Sequence, residues 1–122
     1  MAKLASLSGK NDFSEMRRFG KKVAQGSVSL KFIKITDEQM PKKAVIKLGI
    51  VIPKKFGNAV KRNKVRRQIR EIVRTDREKI SSGWYLIAIR GQLTPNDFYS
   101  LKDTLKVLFS RAGCLSETDS GL

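Results

Sequence analysis

Ala59-Val60-Lys61-Arg62-Asn63-Lys64-Val65-Arg66-Arg67-Gln68-Ile69-Arg70-Glu71 is the stretch on which the reading of this chain turns. At about 100° per residue, Val65, Ile69, Ile72 and Val73 fall within an arc of roughly 100°, the width of a helix stripe that docks on a core. Arg66, Arg70, Arg74 and Arg77, with Asn63 and Arg67, gather on the adjoining and opposite side, and Arg62 stands at the border. The pattern predicts one long helix from Ala59 to Lys79, apolar beneath and ridged with arginine above. Gly57 and Asn58 supply the turn and the N-cap, and Pro53 closes the segment before it.

Working outward, Val28 to Ile35 alternates in polarity, passes through a turn-like Thr36 to Lys43 with Pro41, and resumes as the more apolar Ala44 to Ile52. Two antiparallel strands are the simplest reading, the second being the more central. Trp84 to Arg90 is a short apolar strand bounded by Gly83 and Gly91. A closing helix opens with Thr94 as cap and Pro95 at its first position, and its stripe is Phe98, Leu101, Leu105, Leu108 and Phe109. Near the start, Phe13, Met16, Phe19 and Val23 predict a first helix over Asp12 to Lys22 capped by Asn11 or Asp12, with Gly20 weakening its end. The order α-β-β-α-β-α predicts an α+β domain, a small sheet packed with helices in two layers. Residues 1–112 are expected to form one domain, and the aperiodic tail from Gly113 to Leu122 to be disordered.

The chain has 122 residues and a net charge of +15, yet 40% of it is apolar, enough for one buried core. Residues 54–79 hold eleven basic and three acidic residues, just over half of that net charge. A field this one-sided points to a polyanion, nucleic acid first and anionic membrane second. A solvated face laced with intrahelical pairs accounts for Glu71 near Arg67 and Arg74 and for Glu78 near Arg74, and leaves the remaining cations uncompensated. Arginine suits phosphate because its planar fork binds two oxygens at once. Structured RNA fits such a ridge, since an A-form helix offers phosphates and 2′-hydroxyls rather than base edges.

The chain contains no histidine, which removes Ser-His and Cys-His nucleophiles, a histidine base and histidine-bound zinc. The lone Cys114 cannot form an intrachain disulfide, which suits a reducing cytosol. Its longest apolar stretches, around Leu48 to Pro53 and Trp84 to Ile89, are strand-sized, well short of the roughly 20 residues of a membrane span. The apolar patch in Met1 to Lys10 is too short for a secretory signal. The expectation is a cytoplasmic protein with no membrane partner.

The segment from Ala59 to Glu71, with Pro53-Lys54-Lys55-Phe56-Gly57-Asn58 before it, resembles the signature of the protein subunit of bacterial ribonuclease P. The likeness extends over most of the chain, from the Phe-bearing first helix to the closing amphipathic one. It implies that family's α+β sandwich, with a left-handed crossover through the Arg-Asn helix against the usual hand. It implies a non-catalytic subunit that binds the catalytic RNA, holds the 5′ leader of precursor tRNA and assists its endonucleolytic maturation. No cofactor would be bound by the protein itself; Mg²⁺ would serve the RNA, and no obligate protein partner is implied. Lys54, Lys55, Arg62, Asn63, Lys64, Arg66, Arg67 and Arg70 would face the catalytic RNA. The leader would lie in a cleft between the first helix and the sheet, with Phe13 stacking, Arg17 standing where the family often has a second aromatic, and Lys31 and Lys47 as cations. Phe13, Met16 and Phe19 equally suit an ordinary core, and Lys31 and Lys47 a solvated surface. The alternatives are a ribosomal or other structural RNA-binding protein and, without histidine or clustered acids to support it, a nuclease acting alone.

Overall fold

The computed structural model describes residues 3–7, 9–34, 45–90 and 95–115, with the side chains of residues 3, 45 and 95–99 set aside. In chain order the elements are β1 (Lys3–Ser6), α1 (Gly9–Phe19), β2 (Lys21–Gln25), β3 (Val28–Lys34), β4 (Val45–Val51), a 3₁₀ turn (Lys54–Phe56), α2 (Ala59–Thr75), β5 (Gly83–Ile89) and α3 (Pro95–Arg111). The five strands form one mixed sheet in the order β1-β4-β5-β3-β2. The α+β class is as the sequence implied.

Strand β5 alternates strictly between buried and half-buried residues. Its buried set, Tyr85, Ile87 and Ile89, shares a face with Ile46 and Leu48 of β4 and with Val28, Leu30 and Phe32 of β3. Val65, Ile69 and Val73 of α2 and Leu101, Leu105, Leu108 and Phe109 of α3 close over that face as one core. Tyr85 and Phe109 meet edge to face with ring centres 5.2 Å apart. The two helical stripes read from the sequence are thus the two halves of the lid on this core, although Phe98 lies among the side chains set aside.

The other face of the sheet carries Trp84, Leu86 and Ala88 of β5, Lys47 and Val51 of β4, and Ser29, Lys31 and Ile33 of β3. Helix α1 lies on this side, tied to the sheet by an ion pair from Asp12 to Lys47 of 3.6 Å. Helices therefore cover both faces, α2 and α3 on one and α1 on the other.

Several expectations are corrected. The first helix runs Gly9–Phe19, not Asp12 to Lys22. Gly20 ends it: its N–H donates to the Met16 carbonyl, and a Cβ there would collide with that same oxygen. Lys22 and Val23 belong instead to β2, where Val23 registers with Leu30 and packs on the core by strand period, not helix period. The hairpin from β2 to β3 turns on Gly26, whose φ of 59° suits the first position of a two-residue loop. The segments read as an antiparallel pair, β3 and β4, are not neighbours, because β5 inserts between them, antiparallel to β3 and parallel to β4. Strand β1, unforeseen, adds to the outer edge of β4 in parallel.

Helix α2 stops at Thr75, four residues before the expected end, because the Asp76 N–H closes the last turn on the Ile72 carbonyl and the chain then turns through Lys79. Gly113 to Leu115, placed in the tail by the sequence reading, are docked. Cys114 is buried, and Leu115 bridges to Ile80. Arg111 donates to the Ala24 carbonyl at 2.6 Å and Lys34 to the Gly113 carbonyl at 2.8 Å. Thr94, Ile35, the turn from Thr36 to Lys43 and residues 116–122 lie outside the described residues.

Candidate nucleic-acid interface

The turn that launches α2 is built by three devices. Pro53 ends β4's extended run, Phe56 is buried in the core as a plug, and the Asn58 side chain accepts from the Lys61 N–H at 2.9 Å, capping the helix as expected. This leaves Lys54 and Lys55 exposed in the 3₁₀ turn beside the first turn of the helix.

Along α2, Val65, Ile69 and Val73 are fully buried, which fixes the rotation of the helix. One flank, with Gln68, Glu71, Ile72 and Thr75, lines a cavity shared with Leu101 and Lys102 of α3. The other flank, turned away from α3, carries the ridge: the half-buried Arg66 and the exposed Asn63, Arg67, Arg70 and Arg74. Arg66 donates to the Asn63 side chain at 3.1 Å, so these two are held as a unit one turn apart. Arg62 is half-buried, with its Nε screened from solvent.

Arg74 is neutralised. Its fork grips Glu71 at 3.1 and 2.5 Å, and this hydrogen-bonded pair holds the Glu71 carboxyl below its ordinary range and pushes the Arg74 guanidinium up. The sequence reading also placed Glu71 near Arg67, and the structure gives it to Arg74 alone. Lys54, Lys55, Lys64, Arg67 and Arg70 form no ion pair with any described residue. Helix α2 thus presents fixed, unspent cations on a rod whose orientation is set by its core stripe.

On the α1 side of the sheet, Phe13 is 38% and Phe19 58% exposed, while Met16 is buried at 1%. Of the three residues that suited either core or surface, only Met16 is core. Arg17 is exposed on the same helix. Lys31 is half-buried with its stem against Gly20, and Lys47 lies over the Trp84 ring with its ammonium 4.6 Å from the ring centre. The structure therefore brings Phe13, Arg17, Lys31 and Lys47 to one side of the sheet, remote from the buried face that α2 covers. The sequence reading missed Trp84 and Asp12 in this group. The signal was the period-2 alternation of β5, which sets Trp84 on the face opposite Tyr85.

Among the described residues no group of three or more Cys, Asp or Glu side chains stands close enough to hold a metal ion. No described helix is long and apolar enough to cross a membrane. A capped, core-anchored helix bearing arginines that pair with no described carboxylate, on a mixed sheet, defines an α+β protein with a one-sided basic surface.

Comparison with known proteins narrows this. The family model Ribonuclease P matches residues 1–113. The ribonuclease P protein component of Bacillus velezensis is 29% identical over 120 residues, covering 98% of this chain and 99% of that protein. The structure of the Staphylococcus aureus RNase P protein superposes with a TM-score of 0.75 at 24% identity, covering 91% of this chain and 97% of that one. The RNase P protein from Thermotoga maritima does so with a TM-score of 0.62 at 26% identity, covering 84% and 92%. The chain belongs to the ribonuclease P protein family. It is accordingly a component of a ribonucleoprotein endoribonuclease in which the RNA performs catalysis, and its partner is the ribonuclease P RNA. A ribosomal or stand-alone nuclease role gives way to this assignment.

Proposed function

We propose that this chain grips the ribonuclease P RNA with the ridge of α2 and holds the 5′ leader of precursor tRNA between α1 and the sheet, assisting endonucleolytic maturation of the tRNA 5′ end. The observation that carries this reading is the row of cations on α2, Lys64, Arg67 and Arg70 among them, that no carboxylate of the described residues neutralises. Arg62, Asn63, Lys64, Arg66, Arg67 and Arg70, with Lys54 and Lys55 at the turn, are the contacts to the catalytic RNA. A rigid guanidinium ridge reads backbone phosphates and their spacing rather than base sequence, which suits one folded RNA partner.

Phe13, Arg17, Lys31 and Lys47 serve the leader. An aromatic face accepts any base, and cations beside it follow the backbone, so the leader is held with little regard to its sequence. The protein supplies no nucleophile, base or metal ligand to the cut. Mg²⁺ is held by the RNA, and the protein's fixed cations lower the repulsion between two RNAs brought together.

The test is reconstitution. The full chain mixed with ribonuclease P RNA and a precursor tRNA at low Mg²⁺ is expected to accelerate leader removal over the RNA alone. Equal rates with and without the chain would overturn the proposal.

A further inference from the structure

Trp84 is the one tryptophan of the chain. It stands half-buried at the start of β5, registered with Lys47 of β4 on one side and Ile33 of β3 on the other. Lys47 Nζ lies 4.6 Å from the centre of its ring and 3.6 Å from Oδ1 of Asp12 on α1. A carboxylate of the helix therefore pins a cation over the face of an indole on the sheet beneath it. Phe13 follows Asp12 along α1 and is 38% exposed, and Val51, on the same sheet face as Trp84, is 46% exposed. Nothing in the core requires this arrangement, because Trp84 is on the face opposite the residues that pack against α2 and α3.

We infer that Trp84 is a base-stacking platform for single-stranded RNA, with Lys47 as its removable cover. The inference rests on the leader-binding reading given above and adds to it a residue and a displacement. In the free protein the Lys47 ammonium occupies the ring face and is balanced by Asp12. An arriving strand replaces both partners at once: a phosphate takes the ammonium from the carboxylate, and a base takes the ring face. The exchange favours the strand, since an ammonium over a partly exposed ring is worth less than a stacked base, and Lys47 keeps an anionic partner throughout. Trp84 adds a flat face on the sheet to the exposed ring of Phe13 on α1.

The experiment uses the full chain assembled with ribonuclease P RNA and two ligands, a precursor tRNA with a single-stranded 5′ leader and the same tRNA trimmed to its mature end. Trp84→Leu is expected to weaken the leader-bearing RNA by about 5- to 150-fold and to leave the trimmed tRNA and the assembly with the RNA subunit unchanged. Trp84→Phe is expected to recover part of the loss. In the free wild-type chain a single-stranded oligoribonucleotide is expected to quench the emission of this sole tryptophan, a readout that does not depend on either variant folding. Leader discrimination retained in Trp84→Leu, with emission unquenched in the wild type, would overturn the platform and leave the leader reading standing. An equal loss on both RNAs would reduce Trp84 to a packing residue and overturn it too. If the wild-type assembly fails to discriminate between the two RNAs, the leader reading falls and the platform with it.

Discussion

Helices α2 and α3 are each 17 residues long and lie side by side on the same face of one sheet. Their undersides are interchangeable in kind: Val65, Ile69 and Val73 in one, Leu101, Leu105 and Leu108 in the other, all at or below 1% exposure. Their outer surfaces are not. From Ala59 to Thr75 there are seven cations and one carboxylate, and from Pro95 to Arg111 three cations and two carboxylates. Apolar periodicity determines where each helix sits, and charge on the remaining positions determines what it meets. Helix α3 mixes both signs as an ordinary solvated surface does, and its Arg111 is spent on the Ala24 carbonyl. Helix α2 leaves Arg67 and Arg70 free of ion pairs among the described residues, which on a purely structural surface is unfavourable self-repulsion.

If the undersides are equivalent, the largest effect belongs to either of them alike. Ile69→Ala and Leu105→Ala are each expected to cost about 2 to 5 kcal/mol of stability by denaturant unfolding, with RNA affinity unaltered in the fraction that remains folded. A cost below about 1 kcal/mol at Ile69 alone would show that α2 is not anchored as α3 is.

A second effect separates the shared core from both surfaces. Burial of Tyr85, whose hydroxyl donates to the Ser81 carbonyl at 2.6 Å, pushes its phenol far up, and burial pushes the Cys114 thiol up as well. Both groups are held neutral in the fold and ionise more readily when it opens. Stability is therefore whole below about pH 8.5 and falls as pH climbs through the ordinary ranges of thiol and phenol, by at most about 1.4 kcal/mol per pH unit per group. Tyr85→Phe is expected to flatten the fall above about pH 10, read from unfolding curves at pH 8 and 10.5. An equally steep fall in that variant would place the alkaline loss elsewhere.

The smallest effect lies on the ridge itself. Glu71→Ala releases Arg74 and is expected to leave stability unchanged while steepening the salt dependence of RNA binding. A shallower dependence would mean that Glu71 does more than hold Arg74.

The same division explains what could be read in advance. Helix α2, its Asn58 cap and the α3 stripe were legible because long periodic segments carry many mutually consistent positions. Strand β1 was not, since four residues, Lys3 to Ser6, gain their structure by pairing with β4 rather than from any pattern of their own. Strand β2 was absorbed into the first helix because Val23 falls four residues after Phe19, a spacing that helix and core-facing strand both satisfy here. The Gly26-Ser27 pair marked the hairpin and was passed over. Insertion of β5 between β3 and β4 is a long-range pairing, invisible to local spacing. On the site side the ridge was legible from helical spacing and charge within one segment, whereas the Asp12–Lys47–Trp84 group required α1, β4 and β5 to be assembled first.

The most direct measurement is the salt dependence of binding to ribonuclease P RNA for the Arg67→Ala, Arg70→Ala double variant beside a Lys102→Ala, Lys106→Ala double variant on α3. If α2 meets phosphates, the first slope of log affinity against log salt is expected to drop by about two, near one per arginine, and the second to stay at the wild-type value. A wild-type slope in the first, or an equal drop in both, would contradict the assignment of α2 as the RNA-binding helix.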